Sequence, residues 1–128
     1  MHQSRLSNIV IDCQLEDLAP AIEFWSRALG KPVADADEDG DGKYAKLQTA
    51  ADEPVILLQK VDHPNRVHLD IETDDIDAEV QRLEALGAHR IEFVHGRWWV
   101  MQAPSGHRFC VVQRPEGRAI QPHANRWD

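Results

Sequence analysis

His68, Asp70 and Glu72 stand at every second position of Arg66-Val-His-Leu-Asp-Ile-Glu72, and Asp12 and Gln14 are spaced the same way in Ile9-Val-Ile-Asp-Cys-Gln14. A strand sends alternate side chains to opposite faces, so each run carries polar groups on one side and aliphatic groups on the other. An imidazole beside carboxylates can do proton transfer: Asp12 or Glu72 as general base, His68 orienting or protonating a substrate oxygen. The same groups can equally form a satisfied His68–Asp12 hydrogen bond across neighbouring strands with no chemistry at all. Cys110, in Arg108-Phe-Cys-Val-Val112, adds a thiol, but no Lys stands beside it in sequence to lower its pKa, and it reads better as a small buried residue than as a nucleophile.

These side chains need a scaffold, and the residues following His68 supply one. After Glu72 the apolar spacing changes to that of a helix, with Ile76, Val80, Leu83 and Leu86 on one stripe. Asp74 or Asp75 can cap its start, and Gly87 can supply the left-handed residue that ends it. The strand's apolar face must lie under that stripe, which turns His68, Asp70 and Glu72 to the other side of the sheet. Sliding the sequence by 58 positions lays Ile9–Gln14 on Val67–Glu72 and Asp17-Leu18 on Asp75-Ile76; both helices close with Leu-Gly, at Leu29-Gly30 and Leu86-Gly87, where the offset falls to 57 because the first helix is one residue longer. Two copies of one module follow from that repeat. Ile11, Cys13, Leu69 and Ile71 are therefore expected under the helices.

In chain order, a short frayed arm precedes a strand over about residues 8–14 and a helix over about 17–29, whose buried stripe is Leu18, Ile22, Trp25 and Leu29. Pro20 is tolerated in the first turn. Phe24 and Trp25 read as core rather than site. Three strands follow near 32–36, 44–49 and 55–61, divided by turns at Asp39-Gly40-Asp41-Gly42 and Ala51-Asp52-Glu53-Pro54. The second helix is likewise followed by three strands, over 89–94, 98–103 and 108–113, with turns at His95-Gly96 and Pro104-Ser105-Gly106. The modules thus span 8–61 and 66–114, and 115–128 is a polar tail without pattern. Its terminal Trp127 is either disordered or packed on this or a neighbouring subunit. Asp35, Asp37, Asp39 and Gly40 imitate a calcium loop, but its twelfth position is Lys46 instead of Glu, so an acidic hairpin is the preferred reading.

Composition narrows the function. The chain's 128 residues suit one domain, and 42% apolar residues is ordinary for a globular protein. No apolar run reaches the roughly 20 residues of a membrane span, and the opening Met-His-Gln-Ser-Arg-Leu-Ser-Asn is no signal peptide. A cytoplasmic address is the default. The net charge of −8 leaves no basic stripe for nucleic acid. Cys13 and Cys110 are expected on opposite faces, where they cannot bridge.

Asp17-Leu18 to Phe24-Trp25 and Leu29-Gly30, then His68–Ile71, Asp75–Ala78 and Leu86-Gly87, and finally Ala103-Pro-Ser-Gly-His-Arg-Phe-Cys110 resemble the glyoxalase-like, bleomycin-resistance branch of the vicinal oxygen chelate superfamily. The resemblance spans about residues 8–114. It implies an α+β fold of two βαβββ modules whose mixed sheet curls into a cup, completed in many relatives as a homodimer. In metal-using relatives the ion sits in the cup on side chains from the first and last strands of each module. Carried over, those positions are Val10, Leu57 (with Gln59 two residues on), His68 and Cys110. Val10 and Leu57 have no donor atom, so no metal and no cofactor are expected; a divalent metal would need a rebuilt site of His68, Asp12 and Cys110.

The expected cup is lined by Val10, Asp12, Leu57, Gln59, His68, Asp70, Met101, Cys110 and one of Trp98 and Trp99, which sit side by side on a strand and so face opposite ways. Two functions remain open. One is a protein that binds a small organic molecule over a degenerate metal site. The other is an enzyme doing lyase-, isomerase- or hydrolase-like proton transfer with Asp12, His68 and Glu72. An interaction module without a ligand is disfavoured, because a cup makes a pocket.

Overall fold

The computed structural model describes residues 1–36, 42–114 and 124–128. Its elements, in order, are β1 (His2–Cys13), α1 (Ala19–Leu29), β2 (Val33–Ala36), β3 (Tyr44–Leu47), β4 (Val55–Lys60), β5 (Arg66–Thr73), α2 (Ile76–Ala85), β6 (His89–Val94), β7 (Trp98–Gln102), β8 (Arg108–Gln113) and β9 (Asn125–Trp127). Parallel and antiparallel pairings are mixed, and the α+β class expected from the sequence is the one found. No helix among the described residues is long and apolar enough to cross a membrane. Residues 37–41, which hold most of the calcium-like motif and its turn, lie outside the described residues, as do 115–123 of the tail.

The chain divides into two compact units, one of Asn8–His68 and one of Met1–Ser7 with Leu69–Asp128. In the first, strands run in the order β2-β3-β4-β1. β1 pairs parallel with β4, Val10 opposite Leu57 and Asp12 opposite Gln59, and β3 pairs antiparallel with β4, Tyr44 opposite Gln59. One sheet face is packed by α1. Cys13, Leu18, Ala45, Leu47 and Leu58 are its buried core, with Ile11, Ile22, Trp25 and Ile56 against them. Alternation then fixes the other face: Val10 and Asp12, Leu57 and Gln59, Tyr44 and Lys46.

Helix α1 begins where Asp17 Oδ1 accepts from the Ala19 amide at 3.0 Å and ends at Gly30 in the left-handed conformation. Its stripe is narrower than the spacing suggests. Leu29 is 43% exposed and Phe24 61% exposed, so neither joins the core; Phe24 instead sets its ring edge-on to Trp25. The helix meets its sheet along Leu18, Ala21, Ile22 and Trp25.

The second unit orders its strands β9-β1-β5-β8-β7-β6, using the N-terminal half of β1. β5 pairs parallel with β8, Asp70 opposite Cys110, and β7 pairs antiparallel with β8, Val100 opposite Cys110. Val80, Leu83, Ala88, Met101 and Val111 are its buried core, with Ile71, Ile76, Trp99 and Phe109 packed on them. Asp75 caps α2, its Oδ1 accepting from the Ala78 amide at 3.1 Å, and Leu86 falls outside the stripe at 66% exposed. Gly87 follows at φ +106°, with Pro104 Cγ 3.0 Å from where a Cβ would stand, so the turn needs glycine for both reasons. Leu69 is also corrected: at 44% exposed it is not under α2, which covers β5 from Ile71 onward.

The expected frayed arm is a strand. Trp127 pairs with His2 and Asn125 with Ser4, so the end of the supposed tail forms β9 on β1. His2 and Ser4 are 7% and 2% exposed, and His2 Nε2 donates to Glu79 Oε1 at 2.8 Å. Glu79, fully buried on α2, also accepts from Arg82 Nε at 2.7 Å and Nη2 at 2.8 Å. The Arg82 guanidinium lies 3.8 Å over the Trp127 ring, whose indole N–H donates to Ser4 Oγ at 2.8 Å. Both chain ends are therefore clasped onto α2 by buried polar contacts.

Candidate functional site

On the face of the first unit turned away from α1, His68 Nδ1 lies 2.7 Å from Asp12 Oδ2. The Asp12 side chain is 1% exposed and that of His68 13%. A carboxylate only accepts, so Nδ1 carries the hydrogen of this bond. Arg66 Nε, two residues before His68 on β5, approaches the same Oδ2 at 3.5 Å, while Asp12 Oδ1 is buried with no hydrogen-bond partner among the described residues. Asp12 is thus a positioning group. The ring it orients is the part a bound molecule could touch.

Gln59 and Tyr44 extend this row. Gln59 opposes Asp12 on one side and Tyr44 on the other, and its amide Nε2 donates to the Tyr44 hydroxyl at 3.1 Å. Tyr44 and Arg66 were not among the residues singled out from sequence. The signal for Tyr44 lay in the strand register, which the turn between β3 and β4 sets and residue types alone do not reveal. Leu57 is half-buried on the next row, and Val10, on the same face, is only 2% exposed, so it is not an open wall.

In the second unit, Asp70, Cys110 and Val100 share a row on the face away from α2. Glu72 shares that face, but its Oε2 accepts from Arg5 Nε at 3.2 Å, an ion pair that holds the carboxylate as a salt-bridge partner. Of the adjacent tryptophans, Trp99 packs with the α2 core and Trp98 takes the opposite face, its ring edge-on to His95 at 5.7 Å. Met101 has the parity of Trp99 and is fully buried in that core. Trp99 and Met101 are therefore removed from the expected lining, because the α2 side of β7 is the side that carries them.

Donors for a metal are unevenly placed. Asp70 and Cys110 oppose each other, and His68 stands two residues before Asp70 on the same side of β5. In the first unit Val10 stands at the repeat position of His68 and brings no donor, while Asp12 stands at that of Asp70. Zinc takes about four N, S or O ligands and a hard divalent ion more oxygens. Register adds a further point: Asp12 opposes Gln59 as Asp70 opposes Cys110, so Gln59 rather than Leu57 is the counterpart of Cys110. Both cysteines are free, and burial, then the Asp12 carboxylate, push the Cys13 thiol above its ordinary pKa.

A family model described as a glyoxalase-like domain matches residues 8–112. Among solved structures, a methylmalonyl-CoA epimerase from Mycobacterium tuberculosis is 17% identical, with 86% of this chain and 87% of that one covered at a TM-score of 0.60. A glyoxalase/bleomycin resistance protein/dioxygenase superfamily member from Vibrio splendidus 12B01 is 18% identical over 87% and 99% of the two chains, TM-score 0.57. A hypothetical protein from Bacillus halodurans C-125 is 16% identical over 91% and 98%, TM-score 0.65. At these identities the likeness is one of fold. No functionally curated protein sequence matches the chain.

Proposed function

The chain belongs to the glyoxalase-like domain family, and from that premise we propose that it binds a small organic molecule on the face of its first unit turned away from α1, with a polar atom of the ligand held at His68. The observation that carries this reading is the 2.7 Å hydrogen bond from His68 to a carboxylate buried at 1% exposure. A buried acid that fixes the tautomer and angle of a more exposed imidazole prepares that ring to meet a partner. This reading calls on no metal, since the hydrogen-bonded His68–Asp12 pair is itself the polar anchor. A panel of small hydroxy-carbonyl compounds, titrated against protein with 15N-labelled histidine, tests it. A compound that shifts the His68 resonances should lose roughly 1–3 kcal/mol of affinity in His68→Ala, the cost of a buried polar group left unmet. Unchanged affinity in that variant for every bound compound sinks the reading.

The same pair supports a second reading, metal-independent proton transfer. His68 Nε2 would take a proton from carbon beside a carbonyl and return it, Asp12 stabilising the imidazolium between the two steps. The epimerase name of one structural neighbour is in keeping with such chemistry. Exchange of that carbon-bound hydrogen in deuterium oxide, lost in both His68→Ala and Asp12→Asn, separates catalysis from binding alone.

Two further expectations from the sequence are kept as proposals. Self-association as a homodimer is supported by α1, none of whose eleven residues is fully buried, and sedimentation at twice 14.5 kDa would establish it where a monomer would end it. A cytoplasmic address is supported by the two free thiols; fractionation of the producing cells tests it.

A further inference from the structure

We propose that the bound molecule carries a primary ammonium group, held between Asp12 Oδ1 and the side-chain carbonyl of Gln59. The inference rests on the reading that a small molecule binds on this face of the first unit, and it asks nothing of the His68 ring. One oxygen of Asp12 is engaged: Oδ2 accepts from His68 Nδ1 at 2.7 Å and faces Arg66 Nε at 3.5 Å. Oδ1 is buried on a side chain 1% exposed, and it has no hydrogen-bond partner among the described residues. Leaving a buried acceptor unmet is costly, the more so on a charged group, and folded chains seldom do it. The residue opposite Asp12 on β4 is Gln59. Gln59 Nε2 donates to the Tyr44 hydroxyl at 3.1 Å, while its Oε1 makes no hydrogen bond among the described residues. Adjacent strands lie about 4.8 Å apart, a gap that one nitrogen with two hydrogen bonds of about 2.8 Å can bridge.

The row of acceptors selects the group. Two oxygens facing one another repel a carbonyl, a carboxylate or a phosphate, and suit a nitrogen that carries several hydrogens. One of the two is charged, and a charge-assisted hydrogen bond is about twice as strong as a neutral one, which favours an ammonium over a hydroxyl or an amide. The chain's own cation is loosely held. Among the described residues Arg66 is the one Lys or Arg that reaches this carboxylate, and its long side chain is 47% exposed, so an entering ammonium can take over the pairing while the guanidinium turns to water. In the next row of the same face Val10 opposes half-buried Leu57, which gives the carbon chain of an amine an apolar edge. An aliphatic amine matches that order of groups, nitrogen in the Asp12–Gln59 row and carbons along Leu57.

Straight-chain alkylamines and the alcohols of the same length are the probes, titrated at pH 7 into 15N-labelled full-length protein by NMR. The wild type should bind an amine about 10-fold more tightly than its alcohol, the margin of a charge-assisted over a neutral hydrogen bond. Asp12→Asn keeps an acceptor for His68 but turns an NH2 toward the amine, and should abolish that preference. Gln59→Leu should weaken the amine by about 2- to 10-fold and the alcohol by less. Should Asp12→Asn fail to fold, Gln59→Leu decides alone, and an undiminished preference there overturns the proposal. Glu16→Gln removes an exposed charge from the same unit and should change nothing; a loss equal to that in Asp12→Asn makes the preference a long-range effect of the net charge of −8 and overturns the proposal. Equal binding of amine and alcohol to the wild type, the result if Oδ1 holds a water only, overturns it too, as does an Asp12→Asn protein with a wild-type spectrum that keeps the preference. If His68→Ala binds the amine as the wild type does, the Asp12 anchor stands and the His68 reading falls for that ligand. If the preference is absent while hydroxy-carbonyl compounds still lose affinity in His68→Ala, the His68 reading stands and this inference falls.

Discussion

Replacing Glu79 by Gln probes the buried ionic cluster that ties both chain ends to α2. In the wild type one carboxylate oxygen accepts from His2 Nε2 and Arg82 Nε, and the other from Arg82 Nη2. Glutamine keeps the shape but offers one acceptor oxygen, and turns an NH2 toward a guanidinium donor. Hydrogen bonds to charged groups are worth about 1.5–3 kcal/mol and breaking a buried pair costs about 3–5 kcal/mol. Arg82 keeps 24% side-chain exposure and can recover some hydration, so the expected loss at pH 7 is toward the lower end, about 2–3 kcal/mol. The effect is linked to pH. Burial raises the Glu79 pKa, but hydrogen bonds from Arg82, His2 and Ser4, with the Arg82 charge, outweigh it and hold the group below its ordinary value. A depressed folded pKa contributes stability that is fully present above the unfolded value, about 4.3, and is lost as pH falls through the folded one. Urea unfolding followed by tryptophan fluorescence should therefore show the full gap at pH 7 and a shrinking gap below about pH 4. A variant within about 0.5 kcal/mol of wild type at pH 7, the usual range for a surface change, would refute the reasoning, and so would a gap that ignores pH. Glu79→Leu combined with Arg82→Leu should cost less than Glu79→Gln, because it leaves no arginine charge without its counter-ion.

Trp127→Ala removes the indole contact with Ser4 and the face under Arg82, for an expected loss of about 1–3 kcal/mol, and should speed hydrogen exchange at the His2 to Ser4 amides while sparing β4. Unchanged exchange there would mean that β9 does not hold β1. Gly87→Ala should destabilise by about 1–3 kcal/mol in the same unfolding assay, since φ +106° and the Pro104 ring both oppose a Cβ; a neutral result would place the strain elsewhere. Iodoacetamide on the native protein at pH 8 should modify half-buried Cys110 before Cys13, whose thiol is buried and raised in pKa. Mass spectrometry showing Cys13 modified first would contradict that order.

What the sequence disclosed is what repeats or alternates. The 58-residue shift between Ile9–Gln14 and Val67–Glu72 foretells two strand–helix units and the side on which Asp12 and His68 meet, because period alone decides a face. Period could not say which of Trp98 and Trp99 is core. That is settled by which parity of β7 lies beside Phe109 and Val111, the residues of β8 under α2. Leu29, Leu69 and Leu86 have the right spacing and stay exposed, since a stripe is buried only where the partner element reaches it. The polar arm His2–Ser7 escaped for the opposite reason. Its face carries His2 and Ser4 instead of aliphatics, and the groups that satisfy them, Glu79 and Trp127, are remote in sequence. Tyr44 escaped because register, set by turns and bulges, is not written in residue type.

The division of β1 between two units matters while the chain is being made. Residues Asn8–His68 hold every strand of their unit and can close once they emerge from the ribosome. His2 to Ser7 cannot, because the partners of that arm arrive with β5, α2 and finally Trp127. At about 5–20 residues per second, the arm waits several seconds with an unpaired edge in a crowded cell. An apolar strand in that position would invite pairing with another chain. His-Gln-Ser-Arg-Leu-Ser, polar at five of six positions, is a composition that tolerates the delay.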